Sequence, residues 1–225
     1  MNLWPASHRG KASLQRSMKD FLKELLETIA VALLIFMALQ ASVRNYRVEL
    51  SSMESTLMSK DRLVVNKLVY FHLNTETIDK YVPFIDIWKD NETLFPLHPP
   101  SRADIIVFHF PKDPNRDFVK RVIGLPGETV SMEDGKVFID GDKLNEPYLQ
   151  ERDNHNMAPT LVPPSSYFVM GDNRDGSSDS RYWGPVPLEN IVGNVLLRYW
   201  PFSEFSILSG GSTDVVCTDS IENPS

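Results

Sequence analysis

The familiar arrangements of chemistry-bearing side chains are missing from this chain. It holds no HExxH, GxSxG, Walker loop or GxGxxG. Its five histidines, at 8, 72, 98, 109 and 155, fall at no metal-ligand spacing. The single cysteine, Cys217, leaves neither an intramolecular disulfide framework nor a CxxC metal site. Asn91-Glu92-Thr93 fits a glycosylation sequon, a pattern short enough to arise by chance. Three other segments concentrate hydroxyl, amine and carboxylate groups. They are Ser52-Met53-Glu54-Ser55-Thr56-Leu57, then Phe118-Val119-Lys120-Arg121-Val122-Ile123-Gly124-Leu125-Pro126-Gly127, and finally the Gly171–Gly184 stretch GDNRDGSSDSRYWG. Taken singly, Ser52 reads as a loop serine and Lys120 as a strand-edge lysine. The Gly and Asx content of the third segment describes tight turns, and Asp172, Asp179 and Arg181 suit ion pairs. A calcium loop does not fit it, because counting back from Gly176 puts Gly171 at the first ligand position.

Taken together and in this order, the three segments resemble the S-M-x-P-T-L nucleophile motif, the lysine box and the G-D-N-R-D-N-S-x-D-S-R-Y-W-G box of type I signal peptidases. The resemblance runs over roughly residues 20–200. It implies a membrane-bound serine endopeptidase that removes leaders from exported preproteins after small residues at −3 and −1. In that family Ser52 would be the nucleophile, with its backbone N–H in the oxyanion hole. Lys120 would be the general base, and the Ser177 hydroxyl would orient the lysine amine. The leader would lie extended as an added strand, over pockets lined by Val48, Met53 and Leu57 with Phe118 and Val119 opposite. Asp172, Asp179 and Arg181 would be structural near the site. The resemblance implies no metal and no cofactor, since the dyad does its own acid–base work.

A serine hydroxyl is a poor nucleophile until a base takes its proton. Lysine can serve only with its pKa depressed from a reference of ~10.4, and burial achieves shifts of ~3 units, or about 4 kcal/mol. Phe118, Val119, Val122 and Ile123 surround Lys120 with apolar groups. Arg121, next along a strand, belongs on the opposite face.

The chain departs from the family pattern around the nucleophile. Ser55 replaces the proline of the motif and removes a fixed φ, which is expected to loosen the loop. Glu49 stands three residues before Ser52 and is expected to favour charged Lys120. Leu50, two before it, takes the place of a serine whose hydroxyl assists the oxyanion hole in many members, and leucine cannot donate. Gly176 replaces an asparagine, and Ala103 stands where the family commonly has glycine. These changes keep open a second reading, a weakly active or inactive paralogue that binds leaders or a membrane partner. A self-cleaving repressor of the related kind would need a DNA-binding helical domain.

The body that must position these residues reads as antiparallel β-structure. Short β-branched and aromatic runs, at Arg62–Val69, Asp104–Phe110, Phe118–Ile123, Lys136–Asp140, Tyr167–Met170 and Ile191–Trp200, alternate with turn residues. Glu133-Asp134-Gly135 and Asp140-Gly141-Asp142 are hairpin signals. The fold class is therefore mainly β, with a catalytic body over 44–208. Residues 71–100 read as a long loop or insertion whose Tyr81, Phe84 and Trp88 suit a bilayer interface. Residues 129–165 read as a variable β insertion, and 209–225 as a polar tail.

Ahead of the body lies an apolar stretch, Leu25–Val43, nineteen residues and about 28 Å as a helix. It reads as a single transmembrane anchor; as a cleaved leader it lacks a good small-x-small site, Leu39-Gln40-Ala41 serving badly. Residues 1–24 carry Arg9, Lys11, Arg16, Lys19 and Lys23 against Asp20 and Glu24, favouring a cytoplasmic N-terminus. The body would then lie on the extracytoplasmic face of a bacterial inner membrane or a thylakoid-type membrane. The net charge of −7 argues against a nucleic-acid partner. The expected partners are exported preproteins and the lipid bilayer; oligomeric state is not legible.

Overall fold

The computed structural model describes residues 8–68, 70, 99–149, 154–208 and 217–218. The expectations placed on residues 71–98, including the Tyr81, Phe84 and Trp88 patch, and on most of the tail lie outside the described residues. The chain divides into two units, Met1–Ser42 and Val43–Ser225.

The first unit is one helix, α1 (His8–Ser42). No glycine or proline interrupts residues 11–42, and Leu, Ala, Lys and Glu favour the helix throughout. Its apolar side chains are exposed, Leu26 at 66%, Leu34 at 69% and Met37 at 68%. Among the described residues no helix is both long and apolar enough to cross a membrane. The uncharged run after Glu27 covers only about 22 Å of α1, against ~30 Å of hydrocarbon. Val43, expected to end the anchor, instead opens the first strand.

The second unit is antiparallel β-structure, as expected. Its main sheet contains β1 (Val43–Arg47), β2 (Arg62–Asn66), β3 (Ile105–Phe110), β4 (Asp113–Gly124), β9 (Ser166–Met170), β10 (Val186–Pro187), β11 (Ile191–Trp200) and β12 (Ser206–Ile207). Their order is β1-β2-β11-β3-β4-β9-β10, with β12 beside β11, so β1 is an edge. The second sheet, β13-β7-β6-β5-β8, contains β5 (Thr129–Glu133), β6 (Lys136–Ile139), β7 (Asp142–Leu144), β8 (Met157–Leu161) and β13 (Cys217–Thr218). Both hairpin signals form tight turns. Asp134 and Gly135 take φ of 47° and 71°, and Asp140 and Gly141 take 53° and 96°, the paired positive values that match strand twist.

Two strands are apolar on both faces because each separates two cores. In β3, Ile106 and Phe108 pack with Val122 and Val169, while Ile105 and Val107 pack with Val48, Met53 and Leu57. In β9, Tyr167 and Val169 join the first of these cores, while Phe168 and Met170 pack with Ile123, Val130 and Val137 of the second sheet. A strand buried on both sides reads as a continuous apolar run, here IIVF and YFVM. Strand β4 changes character along its length. Its first half is largely exposed, and burial begins in earnest at Lys120.

Candidate active site

Ser52 sits on the loop between β1 and β2, whose base is closed by Val48 N–H to the Asp61 carbonyl (2.9 Å) and Lys60 N–H to the Val48 carbonyl (2.7 Å). Within the loop, Glu54 N–H donates to Ser51 O, and Thr56 and Leu57 N–H both donate to Met53 O. Met53 and Leu57 are fully buried and plug the loop into the core. They therefore anchor the Ser52 loop from below and do not line the cavity beside it, contrary to the expectation for them. Ser52 is left at the surface of this plug with 8% exposure.

The loop is tied at three further points. Ser55 Oγ donates to the Tyr148 carbonyl at 3.1 Å, Thr56 Oγ donates to Asp172 at 2.5 Å, and Asn173 N–H donates to the Ser52 carbonyl at 3.1 Å. Ser55 thus does not loosen the loop. Its φ of 88° is one that proline, locked near −65°, cannot adopt. The turn here is built differently, and the serine hydroxyl holds it.

Lys120 is 3% exposed, and its Nζ stands 2.6 Å from Ser52 Oγ. Nζ also donates to the Val119 carbonyl at 3.0 Å. In the antiparallel register Lys120 lies opposite Ile106, and its burial reduces the water available to an ammonium. Burial lowers its pKa to about 8, although Asp179 and Asp172 pull upward. The expected role of Glu49 in raising this pKa is not observed, since the carboxylates acting on Lys120 are those two. Both are already claimed by arginines, so burial prevails.

Arg121 takes Asp172 with two bonds, Nε to Oδ1 at 2.8 Å and an Nη to Oδ2 at 2.7 Å, and stacks 4.0 Å over the Tyr148 ring. Arg181 grips Asp179 in the same way, at 2.8 and 3.0 Å, with both side chains at most 1% exposed. Asp179 also accepts from the Gly171 N–H at 3.0 Å. A third buried pair, Arg174 with Glu146, has no advance signal in the sequence at Glu146. The third segment brings together the paired charges Arg121–Asp172, Arg181–Asp179 and Arg174–Glu146.

Gly171 is required by proximity. A Cβ there would lie 2.3 Å from both Ser177 Oγ and the Ser52 carbonyl oxygen. Ser177 is therefore beside the Ser52 loop and 4% exposed, but its Oγ has no hydrogen-bond partner. The bond to the Lys120 amine that the resemblance implies is not formed in this structure. Ala103 carries a φ of 72°, the left-handed conformation that glycine adopts freely, so the family's preference at this position has a backbone cause.

Beside the Ser52–Lys120 pair lies a cavity of about 430 Å³. One wall is Tyr46 to Leu50 at the β1 edge; the other is Arg116 to Lys120 of β4; Leu63 and Val107 also line it. Val48, Phe118 and Val119 line it, and so does Tyr46, which was not anticipated. Leu50 faces it at 60% exposure and offers no donor. Among the described residues, no group of three or more His, Cys, Asp or Glu could hold a metal ion.

Residues 21–200 match the family described as "Signal peptidase, peptidase S26". A signal peptidase I of Leptolyngbya laminosa is 37% identical over 195 residues, covering 83% of this chain and 84% of that protein. A probable signal peptidase I-1 of a Synechocystis species is 37% identical over 197 residues, covering 84% and 88%. A signal peptidase I of Bacillus caldolyticus is 38% identical over 176 residues, covering 72% and 82%.

Proposed function

The chain belongs to the signal peptidase family, peptidase S26, and is a serine peptidase; we propose that it removes signal peptides from exported preproteins with a Ser52–Lys120 dyad. The observation that carries this reading is the 2.6 Å approach of a buried amine to a buried hydroxyl. A neutral Lys120 accepts the Ser52 proton as Oγ attacks the scissile carbonyl. The Ser52 backbone N–H stabilises the resulting oxyanion. The lysine ammonium then gives its proton to the leaving amine as the scissile C–N bond breaks, leaving Ser52 Oγ acylated by the leader. Water, deprotonated by the same amine, hydrolyses that ester. Ser177, whose enclosed hydroxyl has no other partner, turns to the lysine amine during this cycle and orients it.

The leader lies extended in the cavity beside β1, adding main-chain hydrogen bonds to an edge strand. The cut follows small residues at −3 and −1 of the leader. Leu25–Ser42 serves as a single membrane anchor with residues 1–24 in the cytoplasm and residues 43–208 as the extracytoplasmic catalytic body, whose second sheet Cys217–Thr218 joins from the C-terminal segment. The exposed apolar side chains of α1 and the basic head support this arrangement.

The test is cleavage of a purified preprotein by the full chain in detergent. Wild type is expected to cut at the small-x-small site, and Ser52→Ala and Lys120→Ala to leave the preprotein intact. Equal cleavage by wild type and either variant would refute the dyad.

A further inference from the structure

Tyr148 stands where the three chemical segments meet and belongs to none of them. It follows Pro147 in a turn between β7 and β8 that the Leu149 N–H closes on the Glu146 carbonyl at 3.2 Å. Proline's fixed φ suits the second position of such a turn. The Tyr148 carbonyl accepts from Ser55 Oγ at 3.1 Å, and its ring lies under the Arg121 guanidinium, 4.0 Å from the centroid. The hydroxyl donates to Glu146 at 2.8 Å, and Glu146 pairs with Arg174, whose Nε donates to the Gly171 carbonyl at 3.1 Å. Burial first, and then the Glu146 carboxylate, push the Tyr148 pKa well up, so this hydroxyl remains a donor.

Each contact leads back to the Ser52 loop. Ser55 is held directly. Thr56, one residue on, is held through Arg121, which donates to its Oγ at 3.2 Å and grips Asp172, the acceptor of the Thr56 hydroxyl. Gly171 packs so close to the loop that a Cβ there would lie 2.3 Å from the Ser52 carbonyl oxygen. A guanidinium withdrawn from water gains more from an aromatic face than an exposed one does. A planar ion stacked on a flat ring also keeps one orientation of its donor fork. The Tyr148 ring therefore fixes the plane in which the buried Arg121 meets Asp172 and Thr56.

Resting on the signal-peptidase reading, we infer that Tyr148 is a positioning residue for the Ser52 hydroxyl, acting on its loop directly through Ser55 and, by its ring, through Arg121. Tyr148 is not among the residues lining the cavity beside Ser52. Its effect falls on the aim of Oγ at the scissile carbonyl and leaves the binding of the leader alone.

The experiment measures kcat and KM for preprotein cleavage by the full chain in detergent, with Tm recorded so that only folded enzyme is compared. Tyr148→Leu removes the ring face and is expected to lower kcat about 30-fold at unchanged KM. Tyr148→Phe keeps the ring and is expected to retain the wild-type kcat. Ser55→Ala removes the direct tie and is expected to lower kcat about 10-fold, the double variant with Tyr148→Leu falling well short of the product of the two losses. A Tyr148→Leu enzyme with wild-type kcat, a loss shared equally by Tyr148→Phe, or a loss confined to KM overturns the inference while leaving the peptidase reading in place. So does a double variant in which the two losses multiply. Where Tyr148→Leu does not fold, Ser55→Ala carries the test, a lowered kcat at unchanged KM supporting the inference and a wild-type kcat overturning it. A wild type that cleaves none of the preproteins overturns the peptidase reading and this inference with it.

Discussion

The burial that would ready Lys120, the proposed base, comes at a cost to stability. Its pKa falls from the ordinary 10.5 to about 8 on folding, so the unfolded chain binds the extra proton between those values. Stability therefore rises with pH across that window, and below pH 8 the lysine destabilises the fold by up to about 3 kcal/mol. Lys120→Met is expected to raise Tm at pH 7 while abolishing cleavage, with the gain shrinking towards pH 10.5; calorimetry across pH checks this. Ala103 holds a φ of 72° that costs an L-residue roughly 1–2 kcal/mol, part of which glycine returns through its freer unfolded state. Ala103→Gly is expected to stabilise the body by about 0.5–1 kcal/mol in urea unfolding. Gly171→Ala should do the reverse to function. Its Cβ would stand 2.3 Å from the Ser52 carbonyl oxygen, and displacing the nucleophile by even ~1 Å is expected to lower kcat about 10²-fold.

The Ser52 loop works as an element because opposite sides of it are held by different forces. Met53 and Leu57 sink into the core below, while Ser55, Thr56 and the Ser52 carbonyl are hydrogen-bonded from above by the segments around Tyr148 and Asp172. Putting back the family proline as Ser55→Pro is expected to harm this chain, since φ must leave 88° and the bond to Tyr148 is lost. A fall of about 2–3 kcal/mol in stability, read by thermal unfolding, is the expected outcome. The strands of the body were legible because alternation and apolar runs report burial directly, and both Asp-Gly hairpins formed as read. What could not be read was how many faces an element buries. Met53 and Leu57 looked like pocket lining, and only their burial on the core side of the loop shows them to be anchors. Glu146 was equally silent, because a buried charge is recognised by its partner, Arg174, 28 residues away.

At the scale of the whole molecule, the two sheets share the apolar faces of β4 and β9, so Lys120, the proposed base, is carried on a strand clamped between cores. The three chemical segments, far apart in sequence, meet because β4 pairs with β9, which leads directly into the third segment. That meeting was legible only through family resemblance; neither Ser52 nor Lys120 carries a local signal of its role. The charge pattern marked an anchored protein, whereas the uncharged part of α1 falls short of a comfortable span. The full chain is expected to remain with lipid vesicles after alkaline carbonate extraction. A chain beginning at Val43 is expected to stay in the supernatant, and sedimentation of both fractions checks the anchor.

The base is the centre of this account, and its titration in working enzyme tests it most directly. The measurement is kcat/KM for preprotein cleavage from pH 6 to 10. Because the neutral amine is the active form, the rate should rise with pH through an apparent pKa near 8 and be absent in Lys120→Ala at every pH. A profile that is already flat above pH 6, or a Lys120→Ala enzyme that retains wild-type turnover, would contradict the dyad.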